Sequence, residues 1–368
     1  MTTVLFAGGG TGGHIYPNVA MAQRLVARRP DVTPHFLVSR RQGDGDVVNK
    51  QGFAWSHSPV RPLPPLSRPW RLLSFFLAWR KAVAETRALL AERDVALVIA
   101  TGGYVSGPAI VAAHRLGIPR VMVNLDAIPG KANRRLARYT PTIFSVYKTP
   151  VLPGATIVGL PLRSASHGHE DPRAARAALG LDEDMPTLFI TGATHGAESV
   201  IRAMMAIVAR PERAALFAGW QVFHQCGTFD VATLQNAYDD AGITARVVSY
   251  CDQMGNAWRA ASLAVSRAGA GSVAEAWANA APTIFLPNPY HSDQHQRHNV
   301  EPVVAAGGAV VVTDEIDPQA NLSGLGDTLR DLMADSAARD AMHKALRETR
   351  PPDGASAVAE WAETALAR

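Results

Sequence analysis

Gly8-Gly9-Gly10-Thr11-Gly12-Gly13-His14 sets an imidazole directly behind a run that is glycine at every position but one. Glycines let backbone approach a ligand closely, and a helix starting after them offers N–H groups that its own first turn leaves unbonded. Gly8, Gly10 and Gly13 satisfy G-x-G-x-x-G, a spacing that seats a dinucleotide pyrophosphate between a strand and a helix. Hydride chemistry of that kind asks for an acidic residue about 20 residues on, for a ribose. The sequence has Ser39-Arg40-Arg41 instead, which leaves an NADP-type site with Arg40 on a 2′-phosphate. The plainer alternative is a tight strand-to-helix turn, which needs fewer glycines than this loop has.

Three further loops carry polar chemistry. Thr101-Gly102-Gly103-Tyr104-Val105-Ser106-Gly107-Pro108 follows an apolar run, and reads equally as a turn with Pro108 at the first position of a helix. Gly192-Ala193-Thr194-His195-Gly196 and Ser266-Arg267-Ala268-Gly269-Ala270-Gly271-Ser272-Val273-Ala274-Glu275 each lie between a strand pattern and a helix pattern. Such a loop and helix start can hold a pyrophosphate without a metal. Glu275, one turn into its helix, can accept two hydrogen bonds from a ribose diol, and Ser272-x-x-Glu275 is also the spacing of a capping box. The stretch Pro287 to Asn299 crowds carboxylate, amide and imidazole groups that can read sugar hydroxyls. His291, His295 and His298 within it lack the carboxylate that would complete a catalytic zinc set.

The elements that must position these loops repeat in two sets. Val4–Ala7, His35–Val38, Val95–Ala100, Arg120–Val123 and Thr142–Val146 predict strands, with helices over Pro17–Arg28, Arg71–Glu92 and Pro108–Leu116. Thr187–Thr191, Ala214–Ala218, Arg246–Ser249, Leu263–Val265, Thr283–Leu286 and Ala309–Val312 predict a second set. Alternating strands and helices build a parallel sheet covered on both faces. Thr149 to Pro172, rich in Pro, Gly and Ser, reads as the linker. The last stretch, Ser336 to Arg368, is helical in pattern and broken at Pro351-Pro352.

With 368 residues, 47% apolar and 18% charged, the chain has enough to bury a core in each of two domains. A net charge of +4, with no basic run interleaved with aromatics, argues against nucleic acid. Cys226 and Cys251 lie in no ligand or redox motif and predict reduced thiols in a cytoplasmic protein. The start reads as a strand rather than a signal peptide. Aromatics and leucines flanked by cations from Arg68 to Lys81 are the composition of an interfacial helix on anionic lipid, or of a helix half-buried in the first domain.

The order of these motifs over nearly the whole chain resembles the bacterial N-acetylglucosaminyltransferases that convert lipid I to lipid II in peptidoglycan synthesis. Gly9-Gly10-Thr11-Gly12-Gly13-His14-Ile15-Tyr16-Pro17 and Gly102-Gly103-Tyr104-Val105-Ser106-Gly107-Pro108 carry it most specifically. Gly269 to Glu275, Asp293 to Asn299 and Pro161-Leu162-Arg163 support it. The resemblance implies a GT-B fold, two Rossmann-like α/β domains with parallel sheets facing a central cleft. On it, residues 1–160 bind the acceptor and associate with membrane, 161–345 bind the UDP-sugar donor, and 346–368 form a helix packing back on the first domain. It implies an inverting transfer from UDP-N-acetylglucosamine to a lipid-linked muramoyl-pentapeptide, at the cytoplasmic membrane face; a helix dipole at the leaving diphosphate can stand in for a metal, so no cofactor is expected.

By the same resemblance Thr11, Gly12 and Gly13 belong to the donor–acceptor cleft and His14 is the base. Arg163 and Thr194 contact the donor diphosphate, Ala270, Gly271 and Ser272 hold the nucleotide, and Glu275 holds the ribose. The family asparagine at the donor sugar falls on Asp126, and the family glutamine falls on His295, with Gln296 beside it. Rival readings are a relative acting on another lipid, a sugar-nucleotide epimerase, an NADP-dependent reductase, and a non-catalytic nucleotide-sugar-binding protein.

Overall fold

The computed structural model describes residues 1–9, 12–41, 43–64, 70–192, 198–290 and 294–367. They divide into two compact units, unit 1 (Met1–Arg163 with Pro352–Arg368) and unit 2 (Ser164–Pro351). Thr11 and Thr194, and with them His195, His291 and Asp293, lie outside the described residues.

Unit 1 runs β1 (Thr2–Ala7), α1 (Gly12–Arg28), β2 (Val32–Val38), α2 (Asp44–Asn49), β3 (Ala54–His57), α3 (Arg71–Glu92), β4 (Val95–Ala100), α4 (Gly103–Leu116), β5 (Arg120–Asn124), α5 (Lys131–Leu136), β6 (Thr142–Ser145) and β7 (Thr156–Ile157). Its strands order as β3-β2-β1-β4-β5-β6-β7, and every pairing is parallel. Val4, Leu5, Phe6 and Ala7 of the central strand are fully buried, because helices cover both faces of a parallel sheet and each side chain must be apolar whichever way it points.

Unit 2 runs α6 (Pro172–Ala178), β8 (Thr187–Thr191), α7 (Glu198–Val208), α8 (Pro211–Ala214), β9 (Gln221–Gln225), α9 (Val231–Asp240), β10 (Ala245–Val248), α10 (Met254–Ala260), β11 (Leu263–Ser266), α11 (Ala270–Ala278), β12 (Thr283–Phe285), α12 (His295–Ala305), β13 (Ala309–Val311), α13 (Asn321–Ala334) and α14 (Ser336–Glu348). The order is β10-β9-β8-β11-β12-β13, again parallel throughout. Strand order reverses between β1 and β4 in unit 1 and between β8 and β11 in unit 2. Loops at the carboxyl ends of those strands are where open α/β sheets hold ligands.

A last helix, α15 (Gly354–Leu366), belongs to unit 1 and lies on α1. Arg24 meets Asp353 at 3.3 Å and Arg28 meets Glu363 at 2.8 Å. Trp361 meets Phe144 edge-on. Gly354 enters so close to Gly159 that a Cβ would lie 1.7 Å from the Gly159 carbonyl oxygen.

Three sequence expectations are corrected. Ala214–Ala218 is not a strand: α8 ends at Ala214 and a short 3-10 turn follows. The strand is Gln221–Gln225, whose buried Gln221, His224 and Gln225 hide it from a hydrophobic pattern. Pro108 does not open its helix: α4 begins at Gly103 with Pro108 inside, as Pro17 is inside α1. Each proline is the sixth residue, so the N–H it lacks is one that would have bonded a first-turn carbonyl, Gly13 or Tyr104. β3 was not expected, and β7 falls within the stretch read as linker.

Candidate functional site

In unit 1 the loops after β1 and β4 lock together. Thr101 donates from its backbone N–H to the Ala7 carbonyl at 3.1 Å, and its hydroxyl donates to the His14 carbonyl at 2.8 Å. The His14 ring replies: Nδ1 lies 3.1 Å from the Thr101 carbonyl. A carbonyl only accepts, so Nδ1 carries the proton and the lone pair is left on Nε2. Gly103 brings backbone alongside the ring, with φ +71° and a Cβ position 2.9 Å from the Gly9 carbonyl oxygen and 3.7 Å from His14 Nε2. No other residue fits that left-handed turn against that carbonyl without strain.

Burial around His14 lowers its pKa below the usual imidazole value, and the carboxylates of Asp126 and Asp44 with the Thr101 carbonyl recover only part of the shift. The ring is therefore neutral at neutral pH, with an unprotonated Nε2. Asp126 follows β5, where Asn124 donates to its backbone carbonyl at 2.8 Å. Its carboxylate acts on His14 and also on the buried Tyr147 hydroxyl, so the structure brings His14 and Asp126 into one electrostatic neighbourhood. Gly12 and Gly13 form the first turn of α1. Arg163 lays its guanidinium over the Tyr16 ring at 4.0 Å, two residues beyond His14, and its buried Nε has no protein acceptor. A guanidinium so placed keeps donors for an anion.

In unit 2, α11 starts at Ala270 after Gly269, with no side chain capping it. Its first helical bond runs from Val273 N–H to the Gly269 carbonyl at 3.0 Å. The N–H groups of Ala270, Gly271 and Ser272 are thus the ones a helix start leaves for an anion. A Cβ on Gly269 or Gly271 would meet nothing, so the protein's own packing does not require glycine there.

The capping-box expectation fails, because Ser272 is inside the helix and not at its cap. Glu275 is held from elsewhere: Ser166 donates to one carboxylate oxygen at 2.9 Å and the Trp258 indole N–H to the other at 3.0 Å. Each oxygen has more than one acceptor direction. Neither Ser166 nor Trp258 was singled out from sequence, since they lie 109 and 17 residues from Glu275 and in no motif.

Below these loops Arg267 is buried against Asp314 at 2.7 Å. Arg267 also donates to the Ser199 hydroxyl at 2.6 Å and to the Leu286 carbonyl at 3.0 Å. Asp314 is desolvated, yet bonds from Ser199, Ile316 N–H and Arg267 hold its carboxyl below the usual range. At α12, Gln294 sits left-handed at the cap and His295 opens the helix. Gln296 turns its amide oxygen to the Asn288 N–H at 2.8 Å. Asn299 donates to the Ala268 carbonyl at 3.3 Å, tying α12 to the loop that precedes α11.

In unit 1 the exposed face of α3 carries Trp70, Leu73, Phe76 and Leu77, between 56 and 71% accessible. Trp79, on the other side, fills the space beside Gly107 of α4. The half-buried reading of this helix describes the Trp79 side, and the opposite side stands apolar and exposed. Among the described residues no helix is long and apolar enough to cross a membrane, and no three His, Cys, Asp or Glu side chains gather as a metal set.

Residues 4–145 match the N-terminal domain of glycosyltransferase family 28, and residues 187–358 match its C-terminal domain. A UDP-N-acetylglucosamine–N-acetylmuramyl-(pentapeptide) pyrophosphoryl-undecaprenol N-acetylglucosamine transferase from Clavibacter sepedonicus is 37% identical over 374 residues, covering 100% of this chain and 97% of that protein. Its namesake from a Nocardioides species is 38% identical over 320 residues, 84% of each chain. The crystal structure of Acinetobacter baumannii MurG superposes with a TM-score of 0.76 at 22% identity, covering 99% of both chains, and shares the GT-B fold of two parallel-sheet units. The chain belongs to glycosyltransferase family 28, among the N-acetylglucosamine transferases named for N-acetylmuramyl-(pentapeptide) pyrophosphoryl-undecaprenol.

Proposed function

We propose that this enzyme transfers N-acetylglucosamine from UDP-N-acetylglucosamine to N-acetylmuramyl-pentapeptide joined through a diphosphate to undecaprenol, with inversion at the sugar carbon. The observation that carries the mechanism is the reciprocal His14–Thr101 pair, which leaves Nε2 as a neutral acceptor. The acceptor hydroxyl oxygen attacks the donor's anomeric carbon as the bond to UDP breaks. The hydroxyl proton passes to His14 Nε2, and the departing diphosphate keeps the bonding electrons. Stabilising its growing charge is the role assigned to the first-turn N–H groups of α11, to Arg163 and to Thr194. Glu275 accepts from the ribose diol, and His295 and Gln296 address the sugar hydroxyls. Thr11, Gly12 and Gly13 shape the approach to the base, and Asp126 balances the charge that His14 acquires. No metal or other cofactor takes part, so turnover is expected to be unchanged by a chelator.

Unit 1 is the acceptor half and unit 2 the donor half. The exposed apolar face of α3, flanked by Arg71, Arg80 and Lys81, rests on the anionic cytoplasmic surface of the membrane.

The test is His14→Ala. A positioned base contributes about 100- to 10,000-fold in rate; that loss in kcat is expected with UDP affinity and melting temperature near wild type. A variant that turns over a lipid acceptor within a few-fold of wild type would move the base elsewhere, first to Asp126. Turnover of UDP-N-acetylglucosamine without any lipid acceptor would instead favour an epimerase.

A further inference from the structure

We propose that a cavity of unit 1 walled by Arg40, Arg41, Arg61 and Lys81 receives the diphosphate of the acceptor. The inference rests on the reading above, in which the acceptor is a sugar joined through a diphosphate to a polyprenol. The cavity measures about 710 Å³, and Ser74 and Tyr104 complete the part of the wall that matters.

Its cations come from three separate stretches: Arg40 and Arg41 after β2, Arg61 after β3, and Lys81 on α3. The fold gathers them, not their proximity in the chain. Among the described residues no carboxylate pairs with Arg40 or Arg61, and Lys81 has only an exposed contact with Glu85 at 3.6 Å, the sort worth little. The like charges of Arg40, Arg61 and Lys81 around one cavity repel each other until an anion enters. Two phosphates in series suit guanidinium groups, which grip phosphate oxygens in pairs.

The two flanks say which phosphate. On one side Tyr104 adjoins Gly103, whose Cβ position is 3.7 Å from His14 Nε2. On the other side is α3: Ser74, Ala78 and Lys81 line the cavity, while Leu73, Phe76 and Leu77 of the same helix stand exposed. Base, cations and apolar helix face follow one another in the order of sugar hydroxyl, diphosphate and polyprenyl chain. A free phosphate ion would use only the cations, and a membrane phospholipid only the cations and the apolar face.

The test is Arg40→Ala/Arg61→Ala, two exposed side chains whose removal leaves no buried partner behind. Kinetics are measured without vesicles, on a water-soluble acceptor analogue with the diphosphate on a short prenyl chain. The KM for the acceptor is expected to rise about tenfold or more while that for UDP-N-acetylglucosamine stays near wild type, the scale of losing charge-assisted bonds to phosphate. Arg40→Lys/Arg61→Lys is expected to recover part of the loss. Sedimentation with phosphatidylglycerol vesicles runs on the same variants, and wild-type vesicle binding is expected. An unchanged acceptor KM overturns the proposal, and if vesicle binding has fallen at the same time, the cavity serves phospholipid headgroups instead. Should the wild type fail to turn over the acceptor at all, the proposed activity falls; normal wild-type turnover with an indifferent double variant removes the cavity alone.

Discussion

The Thr101 carbonyl fixes the proton of His14 on Nδ1, and burial lowers the pKa of the ring, so two different effects converge on an unprotonated Nε2 at neutral pH. The sign follows directly. A base must be neutral to act, so turnover falls as pH drops through a pKa that lies below the usual value of about 6.5. The acid limb of kcat is expected below that pH, and it should vanish from the residual activity of His14→Ala. A limb unmoved in the mutant would belong to another group.

Trp258 is a positioning residue at the same scale. Trp258→Phe removes the indole donor to Glu275 and keeps an aromatic ring against Phe189. UDP binding measured by calorimetry is expected to weaken about tenfold, as for loss of a bond to a charged group. A lower melting point with unaltered UDP affinity would leave the bond a structural one. His14 was legible in the sequence because glycines and an imidazole in one loop are a local signal. Trp258 and Ser166 were not, because only the folded chain brings them to Glu275.

Among the elements, β4, β8 and α3 begin and end where their residue patterns say they should. Buried parallel strands are uninterrupted apolar runs, and α3 is a long helical stretch bounded by turn residues. β9 defeated the same logic. Gln221 is buried but satisfied, its amide donating to the Asp182 carbonyl at 2.6 Å and to Thr187 Oγ1 at 3.0 Å. His224 is likewise paired with the Tyr238 hydroxyl at 2.9 Å. A strand that buries polar side chains such as Gln221 and His224 among partners inside the fold carries no period for a sequence to show.

Two predictions belong here. Leu73→Ser/Phe76→Ser/Leu77→Ser is expected to cut vesicle binding about tenfold or more with the fold intact, since each large apolar side chain contributes up to about 1.5–3 kcal/mol on burial. Trp79 is left alone because it packs on α4. Unchanged sedimentation would detach α3 from the membrane. Asp314→Ala strands the Arg267 charge in the interior and is expected to cost about 3–5 kcal/mol in urea unfolding. It should weaken UDP binding too, because Arg267 begins the loop that leads into α11. A cost below about 1 kcal/mol would place the pair in water rather than in the core.

For the whole molecule, the two-unit plan was legible because strand–helix alternation stops and restarts, and α/β sheets follow from that rhythm. The return of α15 to unit 1 rests on contacts that no pattern displays. Its tightest point is Gly354 against the Gly159 carbonyl. Gly354→Ala is expected to cost about 2 kcal/mol or more, because that site has no room for a methyl group and overpacking must shift backbone. Hydrogen exchange should then rise in α15 and α1 and stay unchanged in unit 2. A variant that melts with the wild type would mean that α15 sits more loosely than its contacts indicate.

The placement of α15 also sets a timetable for synthesis. Residues 164–351 leave the ribosome as one uninterrupted stretch, so unit 2 can complete itself as soon as it emerges. Unit 1 is begun first and finished last, because the helix that covers α1 with Ala355, Val358, Ala359 and Ala362 is translated after all of unit 2. Domains made early usually fold early; here the earlier-made half waits with part of its apolar surface bare. A premature stop codon late in the message would therefore injure the half that was translated first.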